Sequence, residues 1–308
     1  LLRQHTWFID ATASTALMQA VDATELPSDL HYCRCELAYE GKLGLFSIEG
    51  DDRNPRLDDI RAILFDMACD EALISQWLRA NQTRQDEELG FDWEELRVGI
   101  GCSSETMRLS DDVVSFHASS FAIGFRHYAE LQDRHCGYLQ ISQNDGGAEL
   151  LAAVRQFALQ PMTIIPACND PAWQVRLNSG LEAQLLEQLK AASPNETGGI
   201  LIGSINSRKK SIFVTRILPA PPDSKSSPYA FVRGVKDVPE SVRQIERLTG
   251  GMLGYVGEWH THPMGGARLS STDMKAVSDL RRILDAIPLP THVMIVTPQG
   301  LHPHVYAP

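Results

Sequence analysis

Two histidines, His260 and His262, stand two positions apart in a run, 254–262, whose composition predicts a strand. Side chains at i and i+2 leave a strand on one face, so both imidazoles can address a single metal ion. Asp273 follows eleven residues after His262, where a helix is predicted to start. Two imidazoles and one carboxylate, with no fourth protein donor nearby, match a catalytic zinc site that keeps one position open for water. The chemistry indicated is metal-assisted hydrolysis. Two other zinc patterns are absent. The chain has neither the His-x-Glu and Pro-Cys-x-x-Cys pair of nucleobase deaminases nor the helix-borne His-Glu-x-x-His of many metalloproteases.

The same stretch resembles the JAMM, or MPN-plus, metalloprotease family. That family's motif is an upstream Glu, then His-x-His-Pro, six or so residues, then Ser-x-x-Asp. This chain has Glu196, then His260, Thr261, His262 and Pro263, six residues from Met264 to Leu269, then Ser270 and Asp273. The resemblance covers residues 175–308 and implies an α/β domain of the cytidine-deaminase-like kind. It implies zinc held by His260, His262 and Asp273, with Glu196 as the proton-transferring base. It also implies the Ser270 hydroxyl as a second donor to the oxyanion. Ser270 and Asp273 equally spell a helix N-cap with an acid at the third helical position, and both roles can coexist. Glu258 shares the histidine face, either as a partner to a ligand or as a structural acid. Trp259 points to the opposite face and so to a core. His302 and His304 have no carboxylate at metal spacing and read as an exposed strand edge.

These groups need a scaffold. Helices are predicted over 180–192, 238–248 and 272–287, and strands over 200–202, 211–218 and 291–297. Leu181, Leu185, Leu186 and Leu189 form an apolar stripe on the first helix, suited to packing on a sheet. The segment 219–232, rich in Pro and Ser, reads as an exposed insertion, and 219–234 as the place for a substrate clamp. Family members typically cut after the C-terminal glycine of ubiquitin or a ubiquitin-like modifier.

The first part reads differently. Strands are predicted over 6–10, 31–38 and 44–48, and helices over 16–23, 58–68, 71–80, 113–128 and 148–157. Alternating strands and helices imply an α/β layer architecture. The run from Phe8 to Ser14 is similar to the second half of ThiF-type adenylating domains, the partial Rossmann-like fold of ubiquitin-activating enzymes. That resemblance implies Asp10 as a residue holding magnesium-ATP in a longer parent protein. The segment from Gly101 to Thr106 looks like the family's later Gly-Cys stretch, which implies Cys102 as a thioester-forming cysteine. Read from chemistry alone, Asp10 caps the following helix and Cys102 is a small residue in a turn. No Lys or His adjoins Cys102 to lower its pKa. The glycine-rich nucleotide loop is missing: Gly99 and Gly101 do not complete Gly-x-Gly-x-x-Gly. Without those backbone N–H groups the phosphates lack a cradle, so this chain alone is not expected to adenylate.

Charge divides the chain. Residues 1–172 carry 13 basic and 28 acidic side chains, and the rest carry 15 and 11. That shift sets a boundary near 170, giving domains 1–170 and 175–308, and argues against nucleic acid as a partner of the acidic part. No apolar run is long enough to span a bilayer. Six scattered cysteines without a Cys-x-x-Cys pair fit a reduced, cytoplasmic setting. Cys33 and Cys35 share one strand face. A first residue of Leu and a mid-domain opening suggest a fragment of a longer protein. Together the resemblances imply a peptidase or isopeptidase in a bacterial ubiquitin-like conjugation system, with a role in antiviral defence. Its partners would be a ubiquitin-like protein and a conjugating enzyme, with a homodimer through the activating-enzyme-like part. Two other readings are an activating enzyme whose nucleotide half is absent and a non-catalytic MPN scaffold.

Overall fold

A computed structural model describes residues 6–307 apart from 13, 23, 25, 28, 90–108, 132–133, 145–151 and 285–288. The chain forms two compact units, one of residues 1–61 and 76–161, the other of residues 62–75 and 162–308. Among the described residues, no helix is long and apolar enough to cross a membrane.

The first unit opens with β1 (Trp7–Asp10), α1 (Thr15–Asp22), β2 (His31–Ala38) and β3 (Leu43–Ile48). Helices α2 (Leu57–Met67) and α3 (Ala72–Leu89) follow at the sequence positions where the units change. The unit resumes with α4 (Asp111–Ala129), β4 (Gly137–Gln143) and β5 (Ala153–Leu159). The sheet runs β1-β2-β3-β4-β5. Its β1–β2 pair is parallel, with α1 as the crossover, and every other pairing is antiparallel. Cys33, Phe46, Ile48, Tyr128 and Tyr138 make the core, with Phe121 and Phe125 of α4 packed against them. The helix expected over 148–157 is instead the strand β5 where it is described. Its exposure alternates residue by residue, which is the period of a strand and not of a helix.

The second unit contains β6 (Thr163–Pro166), β7 (Gln174–Leu177), α5 (Leu181–Ala192), β8 (Gly198–Asn206) and β9 (Ser211–Leu218). The hairpin β10 (Lys225–Ser227) and β11 (Ala230–Val232), α6 (Val238–Leu248) and β12 (Gly254–Thr261) come next. Last are α7 (Ser271–Leu284), β13 (Thr291–Thr297) and β14 (Gly300–Tyr306). The seven-stranded sheet runs β14-β13-β12-β8-β9-β7-β6, with β12–β13 and β7–β9 parallel. β6 and β7 had no counterpart in the sequence reading, and the charge shift near 170 falls between them. Arg216 on β9 ties in the 62–75 segment, its guanidinium 2.6 Å from Asp66 and 2.5 Å from Asp70.

Alternation along β13 separates two cores. Met294 and Val296 pack with Leu181, Leu185 and Leu189 of α5, whereas Val293 and Ile295 pack with Val277 of α7. Successive residues face opposite sides of a sheet, so α5 and α7 cover opposite faces. β12 lies near the middle, and a bulge sets its phase. Its register against β8 shifts between Tyr255 and Gly257. Val256 and Trp259, an odd number of positions apart, therefore both reach the α5 core. Glu258 and His260 are left on the other face. Only glycine suits position 257, where φ is +153° and a Cβ would come within 2.6 Å of the His292 carbonyl oxygen.

That crowding goes with a buried imidazole. His292 is 1% exposed, and burial pushes its pKa down to about 4, against the pull of the Val256 carbonyl 3.2 Å from Nδ1. An unfolded histidine takes its proton near 6.5, so the unfolded state binds the proton first as pH falls. The stability from keeping His292 neutral is complete above about pH 6.5 and is lost as pH drops toward about 4, on the order of 3 kcal/mol in all. NMR should find the His292 ring neutral at about pH 5.5, and His292→Gln should flatten the fall of stability with acid. A ring that titrates near its free value would contradict this account.

Candidate metal centre

The tip of β12 delivers the two histidines. His260 lies within the strand, and His262, one residue beyond it, keeps the pairing through its N–H to the Val296 carbonyl at 2.8 Å. Just before them Trp259 anchors the opposite face, 1% exposed, with its Nε1 donating to Leu218 O at 3.2 Å. The strand geometry read from the sequence therefore holds, and both imidazoles face the same way.

Asp273 arrives from the first turn of α7. The Asp273 N–H donates to Ser270 Oγ at 3.2 Å, and the Ser270 N–H donates to Asp273 Oδ2 at 2.6 Å. This reciprocal pair is a capping box, and it fixes the carboxylate over the helix start. Asp273 Oδ1 is 3.3 Å from His260 Nε2, Oδ2 is 3.4 Å from His262 Nε2, and the two Nε2 atoms are 3.2 Å apart. Four donors at about 2.0–2.1 Å around zinc in a tetrahedron lie about 3.3 Å from one another. Each ring nitrogen thus stands about one such edge from the other ring and from its own carboxylate oxygen, and two nitrogens with a carboxylate suit zinc chemically. His260, His262 and Asp273 are the His, Cys, Asp and Glu group of at least three that could hold a metal among the described residues.

The electrostatics agree. Burial tends to raise the Asp273 carboxyl, but hydrogen bonds from His260 and His262 outweigh it and hold the group far below the usual carboxylate range. The hydrogen bond to Asp273 raises the His262 pKa, burial opposes it, and the Gly266 carbonyl adds to the rise. Gly266 O lies 3.0 Å from His262 Nδ1. A carbonyl can only accept, so Nδ1 carries a proton and Nε2 is left to face the centre. Nothing in the sequence marked Gly266, because a backbone carbonyl in a loop leaves no residue-type signal.

Glu196 sits just ahead of β8, 9% exposed. Burial raises its carboxyl above the ordinary value, and the His262 and His260 rings pull it back down. A base tuned upward is better matched to moving protons near neutrality. The sequence separates it from His260 by 64 residues, and the link is backbone pairing. The Thr197 N–H donates to Thr261 Oγ1 at 2.8 Å, and the Thr261 N–H donates to Thr197 O at 2.7 Å.

Other expected residues fall differently. Glu258 partners neither ring; it binds Arg233 at 2.7 Å, because Arg233 leaves the hairpin directly opposite it. β14 is an edge strand as expected, yet His302 and His304 are half-buried and bonded, at 3.0 Å to Thr297 Oγ1 and Ala267 O respectively. In the first unit Asp10 is 1% exposed. Its Oδ1 accepts from Thr12 N and Oγ1 at 2.9 and 2.6 Å, and its Oδ2 accepts from Arg34 at 3.0 Å and Tyr32 at 3.2 Å. The cap of α1 comes from Ser14 Oγ, which accepts the Leu17 N–H at 3.2 Å, rather than from Asp10. Cys102 lies outside the described residues.

Residues 178–303 match the family model described as prokaryotic homologs of the JAB domain. They form a JAB-type domain. A curated relative, named CD-NTase/cGAS isopeptidase, from Enterobacter hormaechei subsp. hoffmannii (strain UCI 50), is 28% identical over 131 residues, 42% of this chain and 71% of the relative. Among solved structures, a JAB1/MPN domain protein from Archaeoglobus fulgidus shares 20% identity, over 40% of this chain and 77% of its own, with a TM-score of 0.24. A protein from Desulfitobacterium hafniense shares 20% identity, over 42% and 88%, with a TM-score of 0.27. The matched residues include the His260, His262 and Asp273 cluster described above.

The ligand geometry predicts one zinc per chain, measurable by elemental analysis, and its loss in Asp273→Ala and His262→Ala. The His262 pKa is raised when no metal is present, so zinc must compete with a proton there, and affinity should fall as pH is lowered. Calorimetry in buffers of different ionisation heat should register proton release. Equal zinc content in Asp273→Ala would contradict the assignment.

Proposed function

We propose that the JAB-type domain is a zinc-dependent peptidase or isopeptidase that cleaves after the C-terminal glycine of a ubiquitin-like protein. The carrying observation is the two imidazole nitrogens 3.2 Å apart, each 3.3–3.4 Å from one oxygen of the Asp273 carboxylate, with the buried Glu196 carboxyl of raised pKa beside them. His260, His262 and Asp273 would hold the zinc. Zinc at such a site supplies Lewis acidity, polarising the scissile carbonyl and lowering the pKa of water toward about 7.

The protein's own groups supply the rest. The Glu196 carboxylate takes the proton of the attacking water and afterwards gives it to the departing amine nitrogen. The N-cap uses the Ser270 hydroxyl as an acceptor from Asp273, so its own proton can be donated to the developing oxyanion. The capping box keeps Asp273 from swinging away while this happens. A non-catalytic scaffold has no use for three such donors in register, and that reading is set aside.

Glycine at the cleaved position requires the least room beside the hairpin and β12. The relative's name points to deconjugation as the task and to a bacterial CD-NTase system as the setting. The same reading places the chain in defence against phage, with a ubiquitin-like protein as substrate and a conjugating enzyme as a companion. For the first unit, the proposal is the later half of an activating-enzyme-like domain. It is supported by the parallel β1–α1–β2 unit with Asp10 at the strand end. Magnesium-ATP at Asp10 would require it to exchange some of its present donors.

Purified protein incubated with a glycine-terminated ubiquitin-like fusion should release the fusion partner, with mass spectrometry finding the cut after the last glycine. Glu196→Gln should keep its zinc while losing about 10²–10⁴-fold in kcat. Wild-type turnover by a zinc-loaded Glu196→Gln protein would overturn this mechanism.

A further inference from the structure

The peptide of Glu196 is gripped from two directions. On one side is Thr261, fully buried between the two histidines, with its two bonds to Thr197. On the other is the hairpin β10–β11. The Glu196 N–H donates to Ser227 O at 2.9 Å, and Ser226 Oγ donates to Glu196 O at 2.6 Å. The backbone N–H and C=O of Glu196 are thus both bonded to the hairpin, which fixes the backbone on either side of its side chain.

A hairpin of two three-residue strands does not hold itself in water. It must be fastened elsewhere. Phe231 lies so close to Gly198 that a Cβ there would come within 2.6 Å of its ring and 2.9 Å of His260 Cβ. Arg233, the first residue after β11, donates from Nη2 to Glu258 Oε1 at 2.7 Å and from Nη1 to Gly234 O at 2.9 Å. Glu258 precedes His260 by two positions on the same face of β12. The ion pair therefore joins the end of the hairpin to the strand that carries the metal ligands.

We propose that Ser226 and Arg233 are positioning residues for Glu196. Ser226 fixes the Glu196 peptide, and the Arg233–Glu258 pair holds the Ser226-bearing hairpin against the histidine strand. The hairpin is then part of the catalytic framework whether or not it also touches substrate. The inference rests on the reading of Glu196 as the base. A partly exposed ion pair adds little to global stability, so its removal should loosen this contact without unfolding the domain.

The test uses the full chain. Amide exchange measures the grip without reference to activity: Arg233→Ala, Glu258→Ala and Ser226→Ala should each speed exchange at Glu196, with the interior of β8 unchanged. Turnover of a glycine-terminated ubiquitin-like fusion should fall about ten- to a hundredfold in kcat, with KM and zinc content near wild type. Ser226→Thr should restore kcat, as should the exchanged pair Arg233→Glu with Glu258→Arg. Unchanged exchange at Glu196 in all three variants would overturn the proposal, as would a kcat loss that tracks zinc loss. If the wild type cleaves no such fusion, the reading of Glu196 fails, while exchange still decides whether the hairpin holds its peptide.

Discussion

Residues 178–303 depend on one carboxylate being bound in three directions at once. Asp273 accepts from Ser270 N–H at the start of α7 and faces His260 and His262 with one oxygen each. The helix start alone would leave it exposed and mobile, and the rings alone would not bring it to the strand. The capping box resolves this by making the bond that begins the helix also the bond that aims the acid. A helix N-terminus favours negative charge as well, so its dipole and the two imidazoles act in the same sense on Asp273.

The strand meets a second constraint. β12 must bury Trp259 on one face, keep His260 on the other, and still direct Val256 into the same core as Trp259. A regular strand cannot put residues three apart on one face. The bulge at 256–257 reconciles the two requirements, and it needs glycine because His292 presses on that position from β13. The buried His292 and the bulge are thus two sides of one packing solution. They set the phase of the histidines without touching the metal centre.

Much of the centre was legible because its signals are residue types at short spacings. His260 and His262 declare a shared strand face, and Ser270 with Asp273 declares a helix start, which is where each is found. Glu196 was legible only through the family motif, since its approach to the histidines runs through β8–β12 pairing across 64 residues. What sequence could not show is carried by backbone atoms and long-range partners: Gly266 O on His262, Ser227 O on Glu196, Arg233 on Glu258. The strand β5 was misread as helix because a short apolar run fits both periods until a paired neighbour chooses one. The 219–232 segment reads as polar loop by composition, yet it folds back as β10–β11 once Phe231 has Gly198 to lie against.

The two aspartates singled out by sequence show why donor identity matters more than residue type. Asp10 ends a strand and is buried, and Asp273 begins a helix and is half-buried. Asp10 is saturated by a guanidinium, a phenol, a hydroxyl and an amide N–H, all donors that cannot give way without leaving a buried charge uncompensated. Its network is a lock on the β1–α1 turn. Asp273 instead faces two imidazoles whose Nε2 atoms can exchange a proton for a metal and keep their positions. The depressed Asp273 and the raised His262 express the attraction between carboxylate and ring. Two ring nitrogens and a carboxylate converging within 3.2–3.4 Å contacts are already arranged to stabilise a divalent ion there.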